Sequence, residues 1–247
     1  MATAVGTPVS PDSARIPQGI APLRAGEGIH FLLRRLHSLT GIIPIGAFLL
    51  EHYISNSEAM GGPAAYNAQV KFLNSLPFVR VLEWGGIFIP LLFHALYGFY
   101  IWWRGEGNAG PAYPWTGNWM YTAQRWTGGI AFIYIAYHTW TMRFAGVHLP
   151  TNPDAGFTKV YDAFAGHPWI VGFYVVGIVT ASWHFAYGLW LFCAKWGITT
   201  GEKARTRLGY ICLALGVALI AMGIYSIAGF VSYTGPLPSG AVAALRH

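Results

Sequence analysis

Five stretches of this chain read as nearly unbroken apolar runs, at positions 36–55, 81–103, 126–142, 169–192 and 208–231. A bilayer core takes about 20 such residues per helix. In hydrocarbon no water bonds a peptide N–H or C=O, so each run must satisfy its backbone internally, as a helix. The fold class expected is all-α: a polytopic membrane protein whose five transmembrane helices form one bundle. The charge content agrees, since only 10% of residues are charged, against about 25% in an ordinary soluble domain. Pro44 and Pro90 fall inside the first two runs. They are expected to kink those helices, with neighbouring helices re-satisfying the freed carbonyls.

Charge placement sets the expected orientation. With the N-terminus cytoplasmic, Arg15, Arg24, Arg34, Arg35, Arg104, Arg125, Lys195, Lys203, Arg205 and Arg207 lie inside, and Lys71, Arg80, Arg143, Lys159 and Arg246 outside. Ten against five favours N-in, C-out by the positive-inside rule. The net charge of +6 is then a matter of topology. Because its cations are split among loops rather than clustered, nucleic acid is not an expected partner. Residues 1–28 are rich in Pro, Gly and Ala and lack the apolar core of a signal peptide. They read as a soluble tail, 29–231 as the helical domain and 232–247 as a second tail. The two outer loops, 57–80 and 144–168, are each long enough for a surface helix, expected at 64–75 and 157–164. Trp102, Trp103, Trp115, Trp119, Trp126, Trp140, Trp169 and Trp196 fall near the predicted interfaces, as an aromatic belt requires. Cys193 and Cys212 lack metal-site spacing and read as packing residues.

The apolar runs contain a repeat. Phe93-His94-Ala95-Leu96-Tyr97-Gly98 and Trp183-His184-Phe185-Ala186-Tyr187-Gly188 share the pattern aromatic-His-x-x-Tyr-Gly. A histidine at membrane depth is costly unless paired, ligated or facing a cavity. His52 and His138 complete a set of four apolar-embedded histidines. At 1.5 Å per residue, His94 lies ~15 Å from Arg104 and His184 ~16 Å from Lys195, whereas His52 lies ~24 Å from Leu36 and His138 ~20 Å from Arg125. His94 and His184 therefore share an inner depth, and His52 and His138 an outer one. Four histidines in two pairs are what two bis-histidine b haems need, stacked across the bilayer so that electrons can pass between its faces. His52 and His138 are 86 residues apart, and His94 and His184 are 90 apart, so expected helices I and II (36–55 and 81–103) look like a copy of III and IV (126–142 and 169–192). Thr40-Gly41 and Thr127-Gly128 precede the outer histidines by 12 and 11 residues, each behind a basic residue, Arg35 or Arg125. Glycines 41, 98, 128 and 188 would let a macrocycle approach the backbone, as small residues let helices approach.

Around these ligands stand further candidates. His37, beside Arg34 and Arg35, suits haem propionates or a partner surface. Tyr97 and Tyr187 could donate hydrogen bonds near the haems or simply pack. Glu51 and Glu83 lie in the outer half and could pass protons to a quinone, or could be interface carboxylates that reach water. His30, His148, His167 and His247 read as solvated.

Several motifs together resemble the cytochrome b subunit of succinate:quinone oxidoreductases, in the five-helix, two-haem, single-anchor form. They are Arg34-Arg35-Leu36-His37-Ser38-Leu39-Thr40-Gly41, Asn74-Ser75-Leu76-Pro77-Phe78, His94-Ala95-Leu96-Tyr97-Gly98, Gln124-Arg125-Trp126-Thr127-Gly128, Gly188-Leu189-Trp190 and Trp196-Gly197-Ile198-Thr199. The likeness covers about residues 29–231. It implies an anchor in the bacterial cytoplasmic (inner) membrane, succinate dehydrogenase or fumarate reductase type, with no dicarboxylate active site of its own. It also implies an inner-face flavoprotein subunit with covalent FAD and an iron–sulfur subunit. Electrons would pass from succinate through flavin, clusters and two b haems to a quinone, often menaquinone. By the resemblance His94 and His184 hold the haem nearer the iron–sulfur subunit, and His52 and His138 the distal one. The Arg34–Ser38 segment would meet propionates and that subunit. One departure stands out: some relatives carry a glutamate just before the helix-IV ligand for transmembrane proton movement, where this chain has Ser182 and Trp183. The expected quinone site is at the outer end, near Glu51, His52, Tyr53 and Glu83, with the inner end near His37 and Arg34 as the alternative. The rival functions are a dihaem cytochrome b of another dehydrogenase or hydrogenase, and a haem-free transporter.

Overall fold

The computed structural model describes residues 25–105 and 116–238. Arg15, Arg24, Trp115, Arg246 and His247, and with them most of both expected tails, lie outside the described residues. Every regular element among the described residues is helical: α1 (Ala25–Ile42), α2 (Pro44–Ser57), α3 (Gly62–Asn74), α4 (Val79–Val81), α5 (Ile89–Arg104), α6 (Thr116–Thr139), α7 (Gly156–Phe164), α8 (Pro168–Lys195) and α9 (Glu202–Val231). Wider π-helical turns, Leu82–Phe88 and Trp140–Phe144, join α4 to α5 and extend α6.

Among the described residues, three helical runs are long and apolar enough to cross a membrane: Val79–Arg104, Pro168–Lys195 and Glu202–Val231. The first and third expected spans are also helical, but differently built. Pro44 has no N–H to give Thr40, so the first is split into α1 and α2 at Ile43. The third, α6, carries Asn118, Gln124 and Arg125 in its first half, which dilutes its apolar character. The helices also outrun the apolar segments. α1 starts 11 residues before Leu36, and α9 six before Leu208, because a helix continues into water as long as its polar side chains permit. Pro90 sits in the first turn of α5, directly after the π turn, where a proline costs the least. The two surface helices of the long loops are α3 and α7, within two residues of the expected bounds.

Close helix packing follows from small residues. A Cβ on Gly223 of α9 would stand 2.6 Å from Ile178 Cγ2 on α8, and one on Gly216 3.1 Å from Ala186 Cβ. That approach is the packing gain that holds helices together in lipid. The buried core gathers at one end of the bundle, where Tyr66 of α3, Phe157 and Phe164 of α7, Tyr174 of α8 and Phe230 of α9 meet. We call this the loop end. The opposite end carries Arg34, Arg35, Arg104 and Lys195 and is the basic end.

Two polar clasps fix the loop end. The Asn67 amide donates to Asp154 O at 2.6 Å, and its Oδ1 accepts from Phe157 N at 2.8 Å, joining α3 to α7. The Lys159 ammonium donates to the carbonyls of Met142, Ala145 and Val147 at 2.7–3.0 Å. It thereby caps the end of the π turn after α6, where carbonyls have no intrahelical partner. Desolvation, aided by the nearby Arg143 charge, holds the Lys159 amine below the usual lysine range. Asn67→Ala leaves two backbone groups without their partner. Its expected cost is about 2–4 kcal/mol, read as a lower Tm of the detergent-solubilised protein and faster hydrogen exchange over 154–164.

Candidate functional site

The four apolar-embedded histidines form two levels. At the first, nearer the basic end, His94 of α5 and His184 of α8 have ring centroids 6.1 Å apart and planes at 88°. At the second, His52 of α2 and His138 of α6 are 5.6 Å apart at 74°. Two imidazoles on one metal at about 2 Å per metal–nitrogen bond put their ring centres about 6 Å apart. Both spacings match that value.

The first level is built twice from the same parts. His94 Nδ1 lies 2.9 Å from His37 O, and His184 Nδ1 lies 3.0 Å from Gln124 O. A carbonyl only accepts, so each Nδ1 carries the proton and each Nε2 keeps its lone pair for a metal. Hydroxyls of Thr40 and Thr127 donate to the same two carbonyls at 3.0 and 3.2 Å. The rings reach these carbonyls only because the adjacent residues are glycines. A Cβ on Gly41 would stand 2.5 Å from His94 Cε1, and one on Gly128 2.7 Å from His184 Cε1. The second glycine of each repeat does the same for the facing side chain: a Cβ on Gly98 would stand 3.2 Å from His37 Cε1, and one on Gly188 3.4 Å from Gln124 Nε2. His37 also stacks on His94 at 4.0 Å. Gln124 is thus the counterpart of His37, a role the motif reading missed. The signal was present, since Gln124 follows His37 by the same 87 residues as Gly128 follows Gly41.

The second level is held by side chains instead. The Asn56 amide lies 3.3 Å from both ring nitrogens of His52. The Tyr174 hydroxyl lies 3.3 Å from His138 Nδ1, and Tyr134 stacks on the same ring at 5.7 Å. Asn56 stands one helical turn beyond His52, a spacing that places both on one face. Tyr174 comes from another helix, and nothing in the sequence marks it.

A cavity of about 570 Å³ runs along α5 and α6, from Lys195 and Arg125 at the basic end to Trp84 and Phe144 at the loop end. His94 and His184 open onto it. At its basic end two buried polar atoms, His37 Nδ1 and Gln124 Oε1, lack a hydrogen-bond partner. Facing imidazoles, a glycine-lined apolar slot, unpaired polar atoms at its rim and nearby cations fit a flat apolar group with anionic edges.

The remaining candidates fall into two groups. At the basic end Arg34 is exposed. Arg35 donates to Lys195 O at 2.6 Å and lies over the rings of Phe31 and Trp196. Arg125 lies over Tyr121 at 3.9 Å. The Tyr97 hydroxyl donates to His30 O at 3.4 Å, and its ring sits 6.0 Å from His37. Tyr187 is held in a stack between Trp183 and Trp190. At the loop end the two carboxylates have different partners. Glu51 accepts from the Ser55 hydroxyl, which accepts from Gln69 at 2.9 Å. Glu83 receives both arms of the Arg143 guanidinium at 3.0 and 2.8 Å.

Apolar spanning helices that present facing imidazole pairs at two depths define a membrane-embedded cytochrome b type of bundle. No protein-family model matches the chain. Over 201 residues, 81% of this chain and 97% of the relative, it is 39% identical to the succinate dehydrogenase cytochrome b558 subunit of Bacillus subtilis (strain 168). The chain belongs to that family, the membrane-anchoring cytochrome b subunits of succinate dehydrogenase.

The two ion pairs at the loop end should differ in worth. Arg143–Glu83 is bidentate and only about a quarter exposed, with side-chain exposures of 26% and 21%, whereas Lys71–Asp154 is 52% and 71% exposed. Glu83→Gln is expected to destabilise by about 1.5–3 kcal/mol, and Lys71→Ala by no more than about 1 kcal/mol. Thermal melts of the two variants at low and high salt provide the comparison, with only the Lys71 pair losing its small contribution to added salt.

Proposed function

We propose that this chain anchors succinate dehydrogenase in the bacterial cytoplasmic membrane as a multi-pass subunit and carries two b haems. His94 and His184 would hold one haem and His52 and His138 the other. The observation that carries the reading is the doubled first-level site, where both imidazoles have Nδ1 committed to a backbone carbonyl and Nε2 left for iron. The residues present fit the group: ring spacings of 6.1 and 5.6 Å, glycines under each first-level ring, and two unpartnered polar atoms beside Arg125 and Lys195. Bound haem supplies reversible one-electron chemistry, with a potential set by axial ligands, burial and surrounding hydrogen bonds.

The protein's own residues do the rest. Backbone carbonyls orient the ligands, and apolar helices exclude water. Arg125, Lys195, Ser38 and His37 line the basic end, where propionates would be neutralised. The same end, with Arg34, Arg35, Arg104, Lys195 and the cations at the start of α9 (Lys203, Arg205 and Arg207), is the surface offered to the iron–sulfur subunit, which in turn carries the FAD flavoprotein. By the positive-inside argument that end is cytoplasmic. The quinone, for which menaquinone is the first choice, would be reduced at the loop end, with Glu51 and Glu83 as candidate proton-transfer groups. Two haems are needed only if electrons must leave far from the inner face.

Pyridine haemochrome analysis of the purified complex tests the first claim. Two haems per chain are expected, falling to one in His184→Ala, whereas none or one in the wild type would defeat the reading. Gly128→Ala, which drives a methyl into the His184 ring, should lower haem content with the ligand still present. For the quinone site, Glu51→Gln should slow quinone turnover several-fold while succinate still reduces haem at the wild-type rate. Normal turnover in both Glu51→Gln and Glu83→Gln, with a quinone analogue labelling only the surroundings of His37, would move the site to the basic end.

A further inference from the structure

Between the two histidine levels lies a polar contact that neither haem site requires. The hydroxyls of Tyr53 and Ser182 share a hydrogen bond of 3.1 Å. Ser182 is wholly buried, at 0% exposure, and Tyr53 is 6% exposed. A hydroxyl removed from water in an apolar bundle is costly unless bonded, so these two depend on each other. Their positions give the bond its meaning. Tyr53 follows His52 of the second level, and Ser182 stands two residues before His184 of the first. α2 runs from the basic end toward the loop end, and helical side chains lean toward their own N-terminus. The phenol of Tyr53 therefore leans from the second level toward the first, and meets Ser182 there. The two helices are close here for a second reason: Gly46 of α2 has no side chain where Phe185, the residue after His184, packs against it.

We propose that the Tyr53–Ser182 bridge is a positioning pair that ties the helix of a second-level ligand to the helix of a first-level ligand, so that the environments of the two haems are set together. The pair touches no iron ligand directly. It acts by fixing α2 against α8, and by placing an oriented hydroxyl dipole in the low-dielectric space between the levels, where such dipoles act strongly. Haem potential responds to burial and nearby hydrogen bonding, so the bridge is expected to show in potentials rather than in haem retention. The inference rests on the two-haem reading above.

Potentiometric titration of the intact complex tests it, using the wild type, Tyr53→Phe, Ser182→Ala and the double variant, with haem counted in each. The second-level haem is assigned as the signal lost in His138→Ala. Each single variant should keep two haems and shift the second-level potential in the same direction. Because both remove one shared bond, the double variant should match either single one rather than their sum. Ser182→Thr, which keeps a hydroxyl, should retain the wild-type potentials. Unchanged potentials in both single variants, or shifts that add in the double, would overturn the proposal. If Tyr53→Phe does not assemble, Ser182→Ala decides alone, since it removes one oxygen atom and fills no space. Fewer than two haems in the wild type would instead sink the underlying haem reading.

Discussion

The bond from an imidazole Nδ1–H to a backbone carbonyl one helix away organises this molecule. A ring nitrogen in an apolar bundle must find a partner, and most helix carbonyls are already engaged four residues along. His37 O and Gln124 O serve as acceptors because the neighbouring Gly41 and Gly128 leave room for the ring. Their lone pairs are shared with Thr40 and Thr127 hydroxyls. This one arrangement fixes the tautomer, aims Nε2 into the cavity and sets how closely α1 approaches α5 and α6 approaches α8. Replacing either glycine therefore disturbs helix packing and imidazole orientation together.

The two ends of the bundle use different physics. At the loop end, aromatic rings of α3, α7, α8 and α9 interlock, and Asn67 and Lys159 hold backbone groups that no helix satisfies. At the basic end, none of α5 is buried, and its inward face borders the cavity. Cations gather there without carboxylate partners among the described salt bridges. A positive surface with no carboxylate paired to it attracts acidic groups, and that attraction weakens with salt.

The levels also differ in what holds their imidazoles. First-level rings are bonded to main-chain carbonyls, which move only if a helix moves. Second-level rings meet Asn56 and Tyr174 side chains at 3.3 Å, which can adjust. If both levels hold the same cofactor, as proposed, the different surroundings would be a means of giving the two unequal potentials.

Much of this was legible in the sequence, because membrane physics leaves few choices. An apolar run about 20 residues long must be a helix, and rise per residue converts position into depth. Those two rules gave the all-α bundle and the sorting of His52 with His138 and of His94 with His184, and the missing N–H of proline gave the break at Pro44. The duplicated motifs marked Gly41, Gly98, Gly128 and Gly188 as places of close approach, expected for a macrocycle; in the structure the first three make room for imidazole rings and Gly188 for the Gln124 amide. Other features were decided only by tertiary structure. Tyr174 reaches His138, Ser182 reaches Tyr53, and Arg143 closes on Glu83 across 36, 129 and 60 residues. The side-chain capping role of Lys159 depends on one carbonyl of a π turn, Met142, and two just beyond it, Ala145 and Val147, an arrangement that no periodicity announces. Periodicity and spacing report a helix's own face and depth. Which residue of another helix meets that face depends on helix rotation and tilt, and those are set by the packing of the whole bundle.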